Sequence, residues 1–277
     1  GRFGLSARGG VNWSWPRTGN ANSKRTDWDS DPNAFNTLID SSNTFSQWIG
    51  YRGSINMFYD INAYNSIMSD IRISGRRSFS NDSTTYWVDS DTSYIYDSYI
   101  KTNGEKTNIE WSTDYIKTFA DNKEKELSIS LQIGGGIGDD DIDNYINGNN
   151  QYSTDNDETE IESTLQMDYT HPFLSENKLE VGTKFINRYR EITNTTLYNL
   201  EEFQNPQDIF NYNQKVIAAY LSTDWLLTSD ISFKTGIRFE KTIISGDWQS
   251  AIKDPFENSY NNILPSLTIS KNFSRSE

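Results

Sequence analysis

The chain contains no cysteine. That excludes a disulfide framework and thiolate metal centres. Histidine is nearly absent too, with His171 the one example. No Ser/His/Asp triad or metal-hydrolase constellation can be built with that residue as its only imidazole base. His171-Pro172 reads instead as a solvated or interfacial histidine at a short turn, and no enzymatic activity is expected. Positive charge is also in short supply, with 25 Lys and Arg against 39 Asp and Glu and a net charge of −14. Phosphate backbones would be repelled, so nucleic acid is excluded as a partner. There is no run of 18 apolar residues, and the mean hydropathy is −0.74. Helical membrane spans are therefore excluded. Strands of a membrane barrel are not, because only alternate residues of such a strand need be apolar.

What the chain has in quantity is aromatic side chains: 14% of residues, including 8 Trp and 16 Tyr. Such a load suits girdles at a membrane interface or carbohydrate-binding surfaces. It also has period-two alternation. Ile231, Phe233, Thr235, Ile237 and Phe239 point one way; Ser232, Lys234, Gly236 and Arg238 point the other. That is the pattern of a strand with unlike faces. It recurs over residues 2–17, 44–60, 66–80, 105–119, 125–138, 158–171, 178–192, 212–227, 230–245 and 259–273. The connections near 60–65, 120–124, 172–177 and 228–229 are short, and those near 18–43, 81–104, 139–157, 193–211 and 246–258 are long and polar. Short turns alternating with long loops, together with an apolar face opposite a charged one, predict an all-β, antiparallel up-and-down outer-membrane β-barrel with about ten strands here. Residues 1–277 then form one transmembrane barrel domain in contact with outer-membrane lipid and lipopolysaccharide.

The candidate functional residues lie mostly in the predicted external loops. Gly134-Gly135-Gly136-Ile137-Gly138 lacks the Lys-Ser/Thr of a phosphate loop and reads as glycine that relieves crowding in a strand. Acidic residues alternate at Asp27/Asp29/Asp31, Asp89/Asp91, Asp139/Asp141/Asp143 and Asp155/Asp157. Alternating carboxylates offer hard oxygen ligands to calcium, with Asp139, Asp141 and Asp143 the first candidates. They serve equally as solvated acidic loops, and Asn144 and Asn150 stand where a calcium loop counted from Asp139 wants Gly and Glu. Trp28, Trp87, Tyr94, Tyr96, Tyr99, Tyr145, Tyr152 and Trp248 lie in or near the same loops. Of these, Trp28, Trp87, Tyr145 and Trp248 are the candidate ligand contacts. Aromatics there can stack on a sugar or siderophore, or cluster to hold long loops together.

Three stretches in order carry a family resemblance: Ala218-Ala219-Tyr220-Leu221, then Gly236-Ile237-Arg238-Phe239-Glu240-Lys241-Thr242, then Tyr260-Asn261-Asn262-Ile263-Leu264-Pro265-Ser266-Leu267. They resemble the barrel domain of TonB-dependent receptors, in the branch called the outer membrane protein β-barrel family. Tyr51-Arg52-Gly53-Ser54 through Phe58-Tyr59-Asp60-Ile61-Asn62 matches that family more loosely. The resemblance implies a barrel of about 22 strands, of which this chain is a part without the plug domain or the last strands. It also implies uptake of a siderophore, glycan or peptide nutrient, a plug domain filling the barrel, and coupling to the TonB energy-transducing complex. The alternatives are a structural or secretion-related barrel without an import role, and a soluble extracellular carbohydrate-binding β protein.

Overall fold

The computed structural model describes residues 2–28, 35–89, 92–174, 177–199, 207–228, 230–249 and 253–271. The strands are β1 (Phe3–Trp13), β2 (Arg17–Trp28), β3 (Phe35–Asn62), β4 (Asn65–Asp89), β5 (Tyr94–Thr118), β6 (Glu126–Ile146), β7 (Asn149–Phe173), β8 (Asn177–Tyr198), β9 (Gln207–Thr228), β10 (Ile231–Trp248) and β11 (Phe256–Lys271). Among the described residues they form one antiparallel sheet of 11 strands in the order of the chain. β1 and β2 lie end to end along β3, β1 against its later half and β2 against its earlier half. The break between them falls at Ser14-Trp15-Pro16, where Pro16 has no N–H to donate. Ser14 bridges it: its N–H donates to the Trp48 carbonyl at 2.9 Å, and its Oγ accepts the Trp48 N–H at 2.9 Å. Two residues, Trp15 and Pro16, then face Gln47 alone, so β2 continues with its faces exchanged.

The sheet has a single layer. Phe239, Ile237, Ile217 and Leu165 stand on its odd-numbered face, and about half of the Ile237 surface (52%) is open. Among the described residues no second sheet covers this face, as a two-sheet sandwich would require. Of the few buried side chains among the described residues, Val216, Ala218, Thr164 and Thr242 belong to the even-numbered face, and Thr37 lies on the odd-numbered face of β3. A sheet with its apolar side open is stable only where that side meets lipid.

The pairing register adds what no single strand reveals. Opposite Leu5 on successive strands lie Met57, Ser69, Thr113, Leu131, Leu165, Phe185, Ile217, Lys241 and Asn261. The row begins at the lower end of the apolar run on β1 and leaves it at the top of the run on β10. The apolar band therefore slants across the hydrogen-bond rows. That slant is what strands tilted to the membrane normal produce, since the lipid slab is horizontal and the rows are not.

The strands run much further than the alternation predicts. Stretches 81–89, 94–104, 139–146, 149–157, 193–198 and 207–211, expected as loops, are paired strand. About ten residues cross the hydrocarbon; β4 continues for about 14 more, roughly 45 Å beyond it. Above lipid both faces of a strand meet water, so alternation vanishes although the backbone ladder goes on. The β6–β7 hairpin closes on Asn147-Gly148 with φ of 51° and 77°, the left-handed pair of a two-residue type I′ turn. The first and last strands, β1 and β11, are not paired with each other; among the described residues the sheet is open.

Two outcomes test this architecture. Ile237→Arg, facing lipid on β10, is expected to lower unfolding stability in detergent or lipid by about 2–4 kcal/mol, whereas Ser222→Arg on the opposite face stays within about 1 kcal/mol. Equal losses at both sites would refute the assignment of faces. At Gly148 an added Cβ meets no atom within 4 Å, so Gly148→Ala isolates backbone strain. It should weaken the hairpin tip by about 1 kcal/mol, read as faster amide exchange at residues 143–152.

Candidate functional site

Apart from β2 and the residues past the β6–β7 bulge, even-numbered side chains share one face. With the apolar band turned to lipid, this face lines the lumen. Its side chains form rungs of mixed charge across the strands. Arg72 holds Asp70 at 2.6 Å and Glu110 at 3.3 Å. Arg188 donates from Nε to Glu162 at 2.6 Å and from Nη1 to Gln214 at 2.6 Å. Arg190 reaches Glu158 at 3.0 Å, and Lys234 reaches Glu180 at 2.7 Å and Asp224 at 3.4 Å. Each exposed pair is worth about 0.2–1 kcal/mol; together they let a wet wall carry charge at bilayer depth. Tyr220 lies across Gly182 and donates its hydroxyl to Asp168. A Cβ at Gly182 would sit 2.3 Å from both Asp168 Oδ1 and the Tyr220 ring, so glycine is what admits the tyrosine there.

The glycine run at 134–138 lies in β6, in agreement with the strand reading. Gly134 and Gly136 leave the lumenal face without side chains, which opens a hollow of about 360 Å³ between Arg72, Asn108, Glu110, Gln132, Glu160 and Glu162. At Gly135 a Cβ would meet the Glu160 carbonyl oxygen at 2.3 Å. The crowding comes from the neighbouring backbone.

Above the lipid band the lumenal face becomes aromatic. Trp248 packs against Phe210 with ring centroids 4.6 Å apart and the planes tilted by 32°, and lies 5.8 Å from Phe256, with the Lys253 ammonium 5.2 Å above its indole. Tyr86 and Tyr96 stack at 4.7 Å, with Tyr94 6.1 Å from Tyr96. Tyr152 and Tyr198 pair at 6.2 Å. Burial and the neighbouring Tyr86 and Tyr94 hold the Tyr96 phenol above its ordinary pKa. Of the expected ligand contacts, Trp248 is on this face. Trp87, beside Ile39 and Ile95, and Tyr145, 5.8 Å from Tyr99, stand on the opposite face. Trp28 ends β2, and its side chain lies outside the described residues. Sequence reasoning passed over Phe210 and Phe256; their even parity next to Trp248 was the available signal.

The acidic runs also resolve by parity. Asp139, Asp141 and Asp143 lie in β6, not in a loop, on the outward face above the apolar band. Asp139 faces Asp157 and Asp141 faces Asp155. Carboxylate oxygens of Asp139, Asp155 and Asp157 come within 4.8 Å of one another. Asp143 stands apart, accepting from Ser153 Oγ at 2.6 Å with Lys101 at 3.9 Å. Asp29, Asp31 and Asp91 lie outside the described residues. His171, on the outward face near the short turns, has Nδ1 3.0 Å from the Tyr169 hydroxyl.

Burial first, then the charges of Asp141, Asp155, Asp157 and Asp140, raises the Asp139 pKa above the usual aspartate value; burial, Asp157 and Asp141 do the same to Asp155. A carboxyl whose folded pKa is raised takes up its proton more readily in the folded state. Stability from these groups is thus present below the ordinary aspartate pKa and is lost as pH rises through the raised values. The upper β6–β7 hairpin should accordingly gain amide protection, after correction for intrinsic exchange, as pH falls from neutrality towards the ordinary aspartate pKa, and Asp141→Asn should flatten that dependence. A hairpin whose protection ignores pH, or an Asp141→Asn variant with the wild-type profile, would contradict the repulsion argument.

Among curated proteins none matches the chain. Among solved structures, the ferric citrate transporter FecA in its unliganded form aligns at a TM-score of 0.52 with 12% identity, covering 99% of this chain and 43% of that one. FpvAI in its complex with pyocin S2 aligns at 0.48 with 10% identity over 99% of this chain and 41% of that one. The alcaligin outer-membrane receptor FauA of Bordetella pertussis aligns at 0.44 with 11% identity, over 95% and 42%. The chain spans less than half the length of these structures, and the FecA likeness concerns fold alone. The family model described as outer membrane protein beta-barrel family matches residues 117–277. That match takes in more than half of the sequence, and the bacterial outer membrane is the environment its open apolar face requires: the chain belongs to the outer membrane protein β-barrel family.

Proposed function

We propose that the chain builds part of the wall of an outer-membrane uptake receptor. The observation that carries this reading is the division of the polar face by height. At bilayer depth it bears paired charges suited to a wet lumen. Above the membrane the same face bears aromatic shelves, chiefly Phe210, Trp248 and Phe256 with the Lys253 ammonium over the indole. A solute captured on aromatic surfaces outside the cell is thereby delivered to a hydrated passage below. Stacking on such a shelf suits the flat faces of sugars or of aromatic chelators. A plug domain within the lumen and a TonB-type energy coupler belong to this reading as partners.

The test is uptake in cells. A strain lacking the gene is grown on a panel of glycans, peptides and chelated iron as limiting nutrient, then complemented with wild type or with Trp248→Ala. The import reading expects a growth defect on one nutrient. Wild type should restore it, Trp248→Ala should leave uptake at least tenfold lower at equal surface abundance, and dissipating the proton gradient should abolish it. Growth on every nutrient without the gene, or full rescue by Trp248→Ala, would count against the shelf as a capture site.

A further inference from the structure

The cations of the lumenal wall are not all paired. Arg72, Lys106, Arg188, Arg190, Lys234 and Arg238 each have a carboxylate partner. Arg8 on β1 and Arg52 on β3 have none: neither guanidinium has a partner among the described residues. Both stand within the apolar band of their strands, on the face away from lipid. Arg8 lies opposite Ser54, and Ser54 opposite Arg72, so Arg8 and Arg72 share one rung about 10 Å apart. Arg52 occupies the next rung, opposite Gly10 and Ser74. One rung further, the Arg76 guanidinium is held over the Trp48 ring at 4.8 Å. That contact explains an aromatic which breaks the outward pattern of β3: Trp48 fixes a cation on the lumenal side.

The floor between these side chains is made of small residues. Ser54 and Ser74 leave a hollow of about 890 Å³, bordered by Arg8, Arg52 and Arg72, with no carboxylate in its lining. The Nδ2 of Asn56 in the same lining is buried without an acceptor. Unpaired charge at bilayer depth is costly and marks a pathway or a partner. Convergent guanidiniums are forks suited to phosphate or carboxylate oxygens, and rings of Arg select anions in pores.

We propose that β1, β3 and β4 form an anion-binding site in the lumenal wall, in which Arg8 and Arg52, backed by Arg72 and Arg76, bind a small solute carrying several phosphate or carboxylate oxygens. The site deepens the uptake reading by naming the charge of the cargo. Its binding test needs no transport. Full-length protein in detergent is titrated calorimetrically at low salt with inorganic pyrophosphate, with tricarballylate and with the neutral sugar maltose. Saturable binding of an anion is expected, and no heat from maltose. The double variant Arg8→Gln/Arg52→Gln should weaken binding at least tenfold. Arg52→Lys, which keeps the charge and guards against a folding artefact, should weaken it less than the double variant. Lys215→Gln, a cation on the other face, should leave it unchanged. Tighter pyrophosphate assigns a phosphate cargo, and tighter tricarballylate a polycarboxylate. No saturable anion binding by the wild type, or equal binding by the double variant, overturns the site. Failure of uptake in cells while anions still bind would remove the import reading and leave the site standing.

Discussion

Everything in this structure depends on the backbone hydrogen-bond ladder. In hydrocarbon each N–H and C=O must find a partner within the protein, because no water is there to substitute. An antiparallel sheet meets that demand strand by strand, and leaves each side chain free to be apolar or charged according to parity alone. The stability usually drawn from a two-layer core is absent. Its place is taken by the ladder itself and by lipid against Leu165, Phe185, Ile217, Ile237 and their neighbours.

The ladder also explains the reach of the strands beyond the membrane. Once formed at bilayer depth, a hairpin extends at little further cost of nucleation, and residues rich in Thr, Ser, Asn and Asp still pair through their backbones. The extension turns what reads as loop into two usable surfaces. One continues the lumenal wall and gathers Phe210, Trp248 and Phe256. The other continues the lipid-facing side and gathers Asp139, Asp155 and Asp157. Residues adjacent in the chain, such as Tyr86 and Trp87, are thereby sent to opposite sides of the wall and take no part in the same chemistry.

Much of the fold was legible beforehand where the two faces differ. In β10 the alternation Ile231, Phe233, Ile237, Phe239 against Lys234 and Arg238 named both faces. Legibility failed where water lies on both sides. Residues 139–157 read as a loop because their outward positions are aspartates, although Asn147-Gly148 was a hairpin signal within them. β2 was missed altogether: Pro16 looked like the end of a strand, and the bulge beside it exchanges the two faces of the strand beyond. Among the candidate sites, the acidic run along β6 named Asp139 but not the residues that gather around it. Asp139 meets Asp155 and Asp157 across the hairpin, while Asp143 turns to Ser153 and Lys101.

The sequence by itself determined the strand faces at bilayer depth and the antiparallel meander, because side-chain parity is a local property that the chain carries with it. Only the tertiary structure decided register, and with it every contact between strands. Arg8, Arg52 and Arg72 are far apart in the chain, and nothing local brings them to one hollow. The pairing of β1 and β4 on either side of β3 does. A shift of one residue in either ladder would send one arginine to lipid and leave the others in water.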